Sequence, residues 1–199
     1  MKNKIILVIF CFILGAHANA QNKWGIEAKG GYNLIKNDMK EAGWGSGATF
    51  GASVIYQWKP GIQIGGNIVY NNFPYTGGGI QPDVIGWAVE GKDSYSIDNF
   101  VLFRLHDKVN NAGLYFHTRL GVSCFHVGQK NIIVESTGEI IGTYENTNIN
   151  KYKPIGAIGI GYTIPISKSI GIKLESGYSS TFDADQQYFP MNLILHWKL

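Results

Sequence analysis

The sequence predicts an all-β fold: an eight-stranded antiparallel up-and-down transmembrane β-barrel. Three observations carry this. Eight segments after residue 20 alternate apolar and non-apolar residues with a period of two, the periodicity of a strand with two unlike faces. None of the eight apolar faces carries an Asp, Glu, Lys, Arg or His. The connections between the segments alternate between short and long, except that the last, about 183–187, is short for its side.

The first twenty residues are expected to be a cleaved signal peptide. Lys2 and Lys4 give a positive start, Ile5 to Leu14 is an apolar run too short to span a bilayer as a helix, and Ala18-Asn19-Ala20 is a small-x-small cleavage pattern. Cys11 lies in this run behind Val8, Ile9 and Phe10, not behind the small residues that lipoprotein cleavage needs. Residues 21–199 are then expected as a single barrel domain.

Each strand is placed by its outward face. The first shows Trp24, Ile26, Ala28, Gly30 and Tyr32. The second shows Ala48, Phe50, Ala52, Val54, Tyr56 and Trp58, and Lys59-Pro60-Gly61 turns the chain into the third, Ile62 to Tyr70. After a long loop with Gly77-Gly78-Gly79 and Pro82, the fourth shows Tyr95, Ile97, Asn99, Val101, Phe103 and Leu105. A turn around Asn110-Asn111-Ala112-Gly113 leads to the fifth, Leu114 to Cys124. The longest polar loop precedes the sixth, Pro154 to Ile164, and residues 165–169 turn it into the seventh, Ile170 to Tyr178. The eighth shows Phe189, Met191, Leu193, Leu195, Trp197 and Leu199.

Charge on such faces decides between a soluble sandwich and a membrane barrel, because an outward Lys or Arg at a bilayer midplane costs about 2–4 kcal/mol. Aromatic spacing points the same way. Trp24 and Tyr32, Phe50 and Trp58, Tyr95 and Phe103, and Phe189 and Trp197 are each eight residues apart on one face. Eight tilted residues cover roughly 20 Å, close to the apolar band between two interfacial girdles. Long loops follow the first, third and fifth strands, as expected where short turns lie in the periplasm and long loops outside.

Composition excludes several classes. Loss of Lys2 and Lys4 leaves 15 basic against 14 acidic side chains, which argues against a nucleic-acid partner. Only Cys124 then remains, so no intramolecular disulfide or cysteine-rich metal site is expected. No cofactor is expected, and no apolar run is long enough for a transmembrane helix.

With its signal, eight alternating strands and aromatic-ended last strand, the chain resembles the small eight-stranded bacterial outer-membrane barrels of the OmpA/OmpX/OmpW type, over all of residues 21–199. The match is one of pattern. The resemblance implies a Gram-negative outer membrane, contact with its lipid and lipopolysaccharide, and insertion by the barrel assembly machinery. Members of this class often end on an aromatic residue read by that machinery; here Trp197 stands two residues before Leu199. Small barrels also include lipid A deacylases with a His-x-Ser motif. His117-Thr118-Arg119 and His126-Val127-Gly128 do not match it, so no catalytic residue is assigned.

The inward faces hold the candidate site. Glu27, Lys173 and Arg119 form one layer near mid-barrel, and Lys29, Glu175 and Asp98 the next. An eight-stranded barrel is only wide enough for its own side chains, so these charges must pair or stay hydrated. The expected pairs are Asp98 with Arg119, Glu27 with Lys173 and Lys29 with Glu175. The expected role is a polar plug that fixes the register, and the alternative is a gated proton or ion path. His117 and His196, also inward, fit no metal-ligand spacing and are read as part of the same network.

The loops carry the other candidates. Asn131 to Val134 and Glu139 to Tyr144, about Ser136-Thr137-Gly138, read as a hairpin that continues the fifth and sixth strands beyond the membrane. Its Ile132, Val134, Ile140 and Tyr144 are the candidate surface-interaction residues for an extracellular protein partner, by strand addition. Phe73, Tyr75, Trp87 and the glycine triplet of the second loop are expected to cap the barrel mouth or contact lipopolysaccharide. The function read from this is non-enzymatic, structural or surface-interacting, with a plugged lumen. A narrow channel for small or hydrophobic solutes, as in OmpW-like barrels, is the first alternative. A lipid A-modifying enzyme is the second.

Overall fold

A computed structural model describes residues 23–77, 85–107, 111–145 and 147–199. The expected signal segment, the second and third glycines of the triplet, Pro82 and Asn110 lie outside the described residues. Eight strands close into one antiparallel barrel: β1 (Trp24–Ile35), β2 (Gly47–Lys59), β3 (Ile62–Phe73), β5 (Ser94–His106), β6 (Gly113–Val127), β9 (Ile149–Pro165), β10 (Ile170–Thr181) and β11 (Gln187–Lys198). Each pairs with its chain neighbour, and β11 closes the ring on β1 from Gly25 opposite Lys198 to Ile35 opposite Tyr188. Closure leaves no barrel edge unpaired, which a spanning sheet in hydrocarbon requires.

Local chemistry makes the short turns. Gly61 adopts φ 78° after Pro60, and Asn111 and Gly113 adopt φ 58° and 83° before β6. These are residue types that enter the left-handed region readily. The long connections all fall at the opposite end. They hold the short helix α1 (Asn37–Glu41), β4 (Trp87–Gly91), β7 (Lys130–Val134) and β8 (Ile140–Thr143).

The predicted faces are the observed ones. Along β11, Leu193, Leu195 and Trp197 are 56%, 52% and 53% exposed, while Ile194 between them is 1% exposed. The outward faces of all eight strands join into one apolar belt, with Val101, Leu120, Ile158, Ile160 and Leu174 among its exposed residues. Aromatic pairs mark its two borders: Trp24 against Tyr56 at 4.9 Å near the short-turn end, and Tyr70 against Tyr95 at 5.8 Å and Tyr178 against Phe189 at 5.1 Å near the long-loop end. Water has no use for a continuous surface of this kind, and a bilayer needs one.

Small inward residues make room for large ones across a lumen this narrow. A Cβ on Gly51 would lie 2.7 Å from Lys29 Cε, and one on Gly161 would strike the Tyr115 ring. These glycines hold no turn. They are the space into which the lumen side chains fold.

Candidate functional site: the filled lumen and the loop cap

The lumen is filled in two different ways. Toward the long loops it holds a hydrophobic core of Ile35, Met39, Trp44, Val69, Phe73, Phe100, Phe125, Ile155 and Tyr188, all buried. Phe73 packs against Phe125 and Tyr188 at ring distances of 5.9 and 5.7 Å. This apolar half goes beyond the predicted polar plug. Its signal lay in the same alternation, because Val69, Phe100, Phe125 and Ile155 stand at inward positions.

Below the apolar core lies the ionic network. Glu27 Oε1 accepts from Arg104 Nη1 at 2.7 Å and from Lys173 Nζ at 2.7 Å, with His196 Nδ1 at 3.2 Å. Glu175 Oε2 accepts from Arg104 Nη2 at 3.2 Å and from the Tyr115 hydroxyl at 3.1 Å. Its other oxygen takes the guanidinium of Arg119, with His117 Nε2 at 3.9 Å. Glu27, Glu175, Arg104, Arg119 and Lys173 are each 4% exposed or less. Burial at that depth is tolerable only when the charges are matched and hydrogen-bonded.

One expected pair is present and two are not. Glu27 meets Lys173 across β11. Asp98 does not meet Arg119. It stands opposite Ser123, and its Oδ2 accepts from Asn71 Nδ2 at 2.7 Å and Tyr188 Oη at 2.5 Å. Arg119 instead reaches Glu175 over β9, whose inward residues Ala157, Gly159 and Gly161 have almost no bulk to stop it. Lys29 lies along Gly51 of β2 and makes no salt bridge to Glu175 among the described residues. The residue missing from the sequence reading is Arg104, which bridges both carboxylates. Its inward position between Phe103 and Leu105 was the available signal.

The short-turn end is closed by amides and imidazole. Gln63 Nε2 donates to Gln57 Oε1 at 3.1 Å, and His106 Nε2 lies 3.2 Å from Gln63 Oε1.

At the other end the loops form a cap. The predicted hairpin exists as β7 and β8, but it does not continue the barrel strands. It pairs with β4 of the second loop in a separate three-stranded sheet, β4-β7-β8. The reason is local: β4 offers Trp87, Ala88 and Val89 as partners for Val134, Ile133 and Ile132. Ile132 and Val134 are therefore half-buried in the middle strand, whereas Ile140 is exposed on the edge. The Tyr144 amide donates to the Lys130 carbonyl at 2.9 Å.

Lys130 ties the cap to the first two loops. Its ammonium donates to the Ala42 carbonyl and lies 4.5 Å from the Trp44 ring and 5.4 Å from the Tyr75 ring. Burial holds its pKa below the usual lysine range. Trp44 and Tyr75 also form an isolated bridge, which brings the expected second-loop aromatic over the mouth. Trp87 instead lies in the outer sheet. At the same end Lys153 binds both Asp183 and Asp185, closing the β10–β11 connection onto β9.

No protein-family profile matches the chain, and no curated protein matches it. Solved structures do. Ail, the attachment invasion locus protein of Yersinia pestis, is 13% identical with a TM-score of 0.54, covering 89% of this chain and 98% of that one. Ail in complex with the heparin analogue sucrose octasulfate is 14% identical with a TM-score of 0.50, covering 89% and 99%. The N-terminal β-barrel domain of Pseudomonas aeruginosa OprF is 12% identical with a TM-score of 0.50, covering 91% and 100%. Closed eight-stranded topology, an uncharged apolar belt and these likenesses together make the fold that of the small outer-membrane β-barrels.

Proposed function

We propose that this is a non-enzymatic protein of the Gram-negative outer membrane, structural or surface-interacting in role, with a lumen plugged by its own side chains. The observation that carries the reading is the contrast between the two parts of the molecule. The lumen is packed from the Gln57–Gln63 layer through the Arg104 network to the Phe73 core. Among the described residues, the loops at one end are built into an ordered sheet. A barrel that spends its interior on packing has its loops left for recognition. Ail, whose fold this chain shares, has been solved with a heparin analogue, which supports surface recognition as the role of such a cap.

On this reading lipid surrounds the belt, lipopolysaccharide meets the Tyr70–Tyr95 border, and the assembly machinery inserts the chain. The test is conductance and liposome swelling of the refolded protein. The wild type is expected to pass no solute. Large steady currents in the wild type would favour the channel instead. Deletion of residues 131–144 is expected to abolish surface binding of an extracellular protein partner while the barrel still shows heat-modifiable migration. Altered lipid A by mass spectrometry on expression would contradict the non-enzymatic reading.

A further inference from the structure

Beside the cap sheet, a cavity of about 600 Å³ opens between the first loop, the third loop and the β10–β11 connection. Its floor is apolar, formed by Trp44, Phe125 and Val127. Its walls carry three cations, Lys130, Lys151 and Lys153, and three carboxylates, Glu145, Asp183 and Asp185. The charges cancel, so the cavity has no net field to gather a polyanion or a polycation. Gln186 lines it at 1% exposure. The Gln186 Oε1 accepts from Ser123 Oγ at 3.3 Å, but its Nε2 has no partner among the described residues. A buried amide donor without an acceptor is costly in a folded protein and calls for an acceptor from elsewhere.

We infer that this cavity binds a neutral saccharide of one or two rings. A sugar hydroxyl both donates and accepts. Lys153 is already held by Asp183 and Asp185, and Lys130 by the Ala42 carbonyl, so one ligand can meet the Gln186 amide together with Glu145 and Lys151, which make no ion pair among the described residues, without adding charge. The C–H face of a pyranose covers the apolar floor and the Tyr144 ring at the cavity wall. The volume falls in the range of small-ligand sites, roughly 300–1,000 Å³. The inference rests on the reading of this end as a recognition surface.

The experiment titrates the refolded chain in an amine-oxide detergent, since sugar-headed detergents would compete. Glucose, galactose, N-acetylglucosamine, maltose and lactose are followed by tryptophan fluorescence, for which Trp44 is the reporter, and by calorimetry. A second arm uses the core oligosaccharide released from the bacterium's own lipopolysaccharide; tighter binding in one arm distinguishes a foreign sugar from the membrane's own. Saturable binding in either arm is expected. Gln186→Ala is expected to weaken it about tenfold and Tyr144→Ala by a similar factor, with Glu90→Gln unchanged. Heat-modifiable migration shows that each variant is folded. No saturable response from folded wild type in either arm overturns the inference, as does unchanged affinity in Gln186→Ala. Binding of sucrose octasulfate alone would overturn it too, by showing an anion surface. If the sugars fail while deletion of 131–144 still abolishes surface binding, the inference falls and the broader reading stands.

Discussion

Glu175→Gln is expected to destabilise the barrel more than Arg104→Met, although Arg104 makes the longer-reaching contacts. The difference lies in the partners each substitution leaves behind. Glu175 is bound by Arg104, Arg119 and Tyr115, and Arg119 has no other carboxylate among the described residues. Neutralising Glu175 thus strands a guanidinium that is 3% exposed. Breaking a buried pair in this way costs about 3–5 kcal/mol. Arg104→Met removes two hydrogen bonds at 2.7 and 3.2 Å but leaves Lys173 on Glu27 and Arg119 on Glu175. Loss of charged hydrogen bonds without a stranded charge is worth about 1–3 kcal/mol. The double variant Glu175→Gln/Arg119→Met removes both partners and is expected to recover about 2 kcal/mol relative to additivity. Reversible urea unfolding in phospholipid vesicles, read by tryptophan fluorescence and gel migration, measures all three. An Arg104→Met cost equal to that of Glu175→Gln, or simple additivity in the double variant, would show that no guanidinium is stranded.

Leu195→Arg places a cation at the middle of the belt beside inward Ile194; about 2–4 kcal/mol of added cost should block assembly, and normal yields of folded protein would reverse the inside and outside faces. Lys130→Met removes the ammonium from the Trp44 and Tyr75 rings and from the Ala42 carbonyl, and deuterium exchange should rise by about tenfold in β7 while the barrel amides stay protected. The Lys153 latch should depend on pH. The Lys153 hydrogen bond holds Asp183 down at about 2, so its contribution is full above about pH 4 and lost as pH falls toward 2. Burial works against the Lys153 charge, yet the bonds to Asp183 and Asp185 raise its pKa, so its contribution is lost only above about pH 10. Pepsin should therefore nick at exposed Phe182 faster in Lys153→Met than in wild type at pH 4, with the two converging at pH 2; a difference that persists at pH 2 would remove the latch.

What the sequence determined by itself was everything with a period of two. Alternation is a local property of the backbone, so Leu193, Ile194 and Leu195 reveal their faces without reference to any other strand. Eight such strands, their order and the end that carries the long loops follow from the same reading. Closure decided the rest. Glu27 and Lys173 are 146 residues apart in the chain, and Arg104 and Glu27 are 77 apart. Their meeting depends on the shear of the closed ring and on which intervening strand is small enough to reach across. That is why Arg119 crosses the glycines of β9 to Glu175 while Asp98 turns to Asn71 and Tyr188. The hairpin at 131–144 was legible, but its true partner, β4, lay far upstream of β7 in an unrelated loop, with no periodicity to connect them. Local pattern selects a residue's face; only the three-dimensional ring selects its partner.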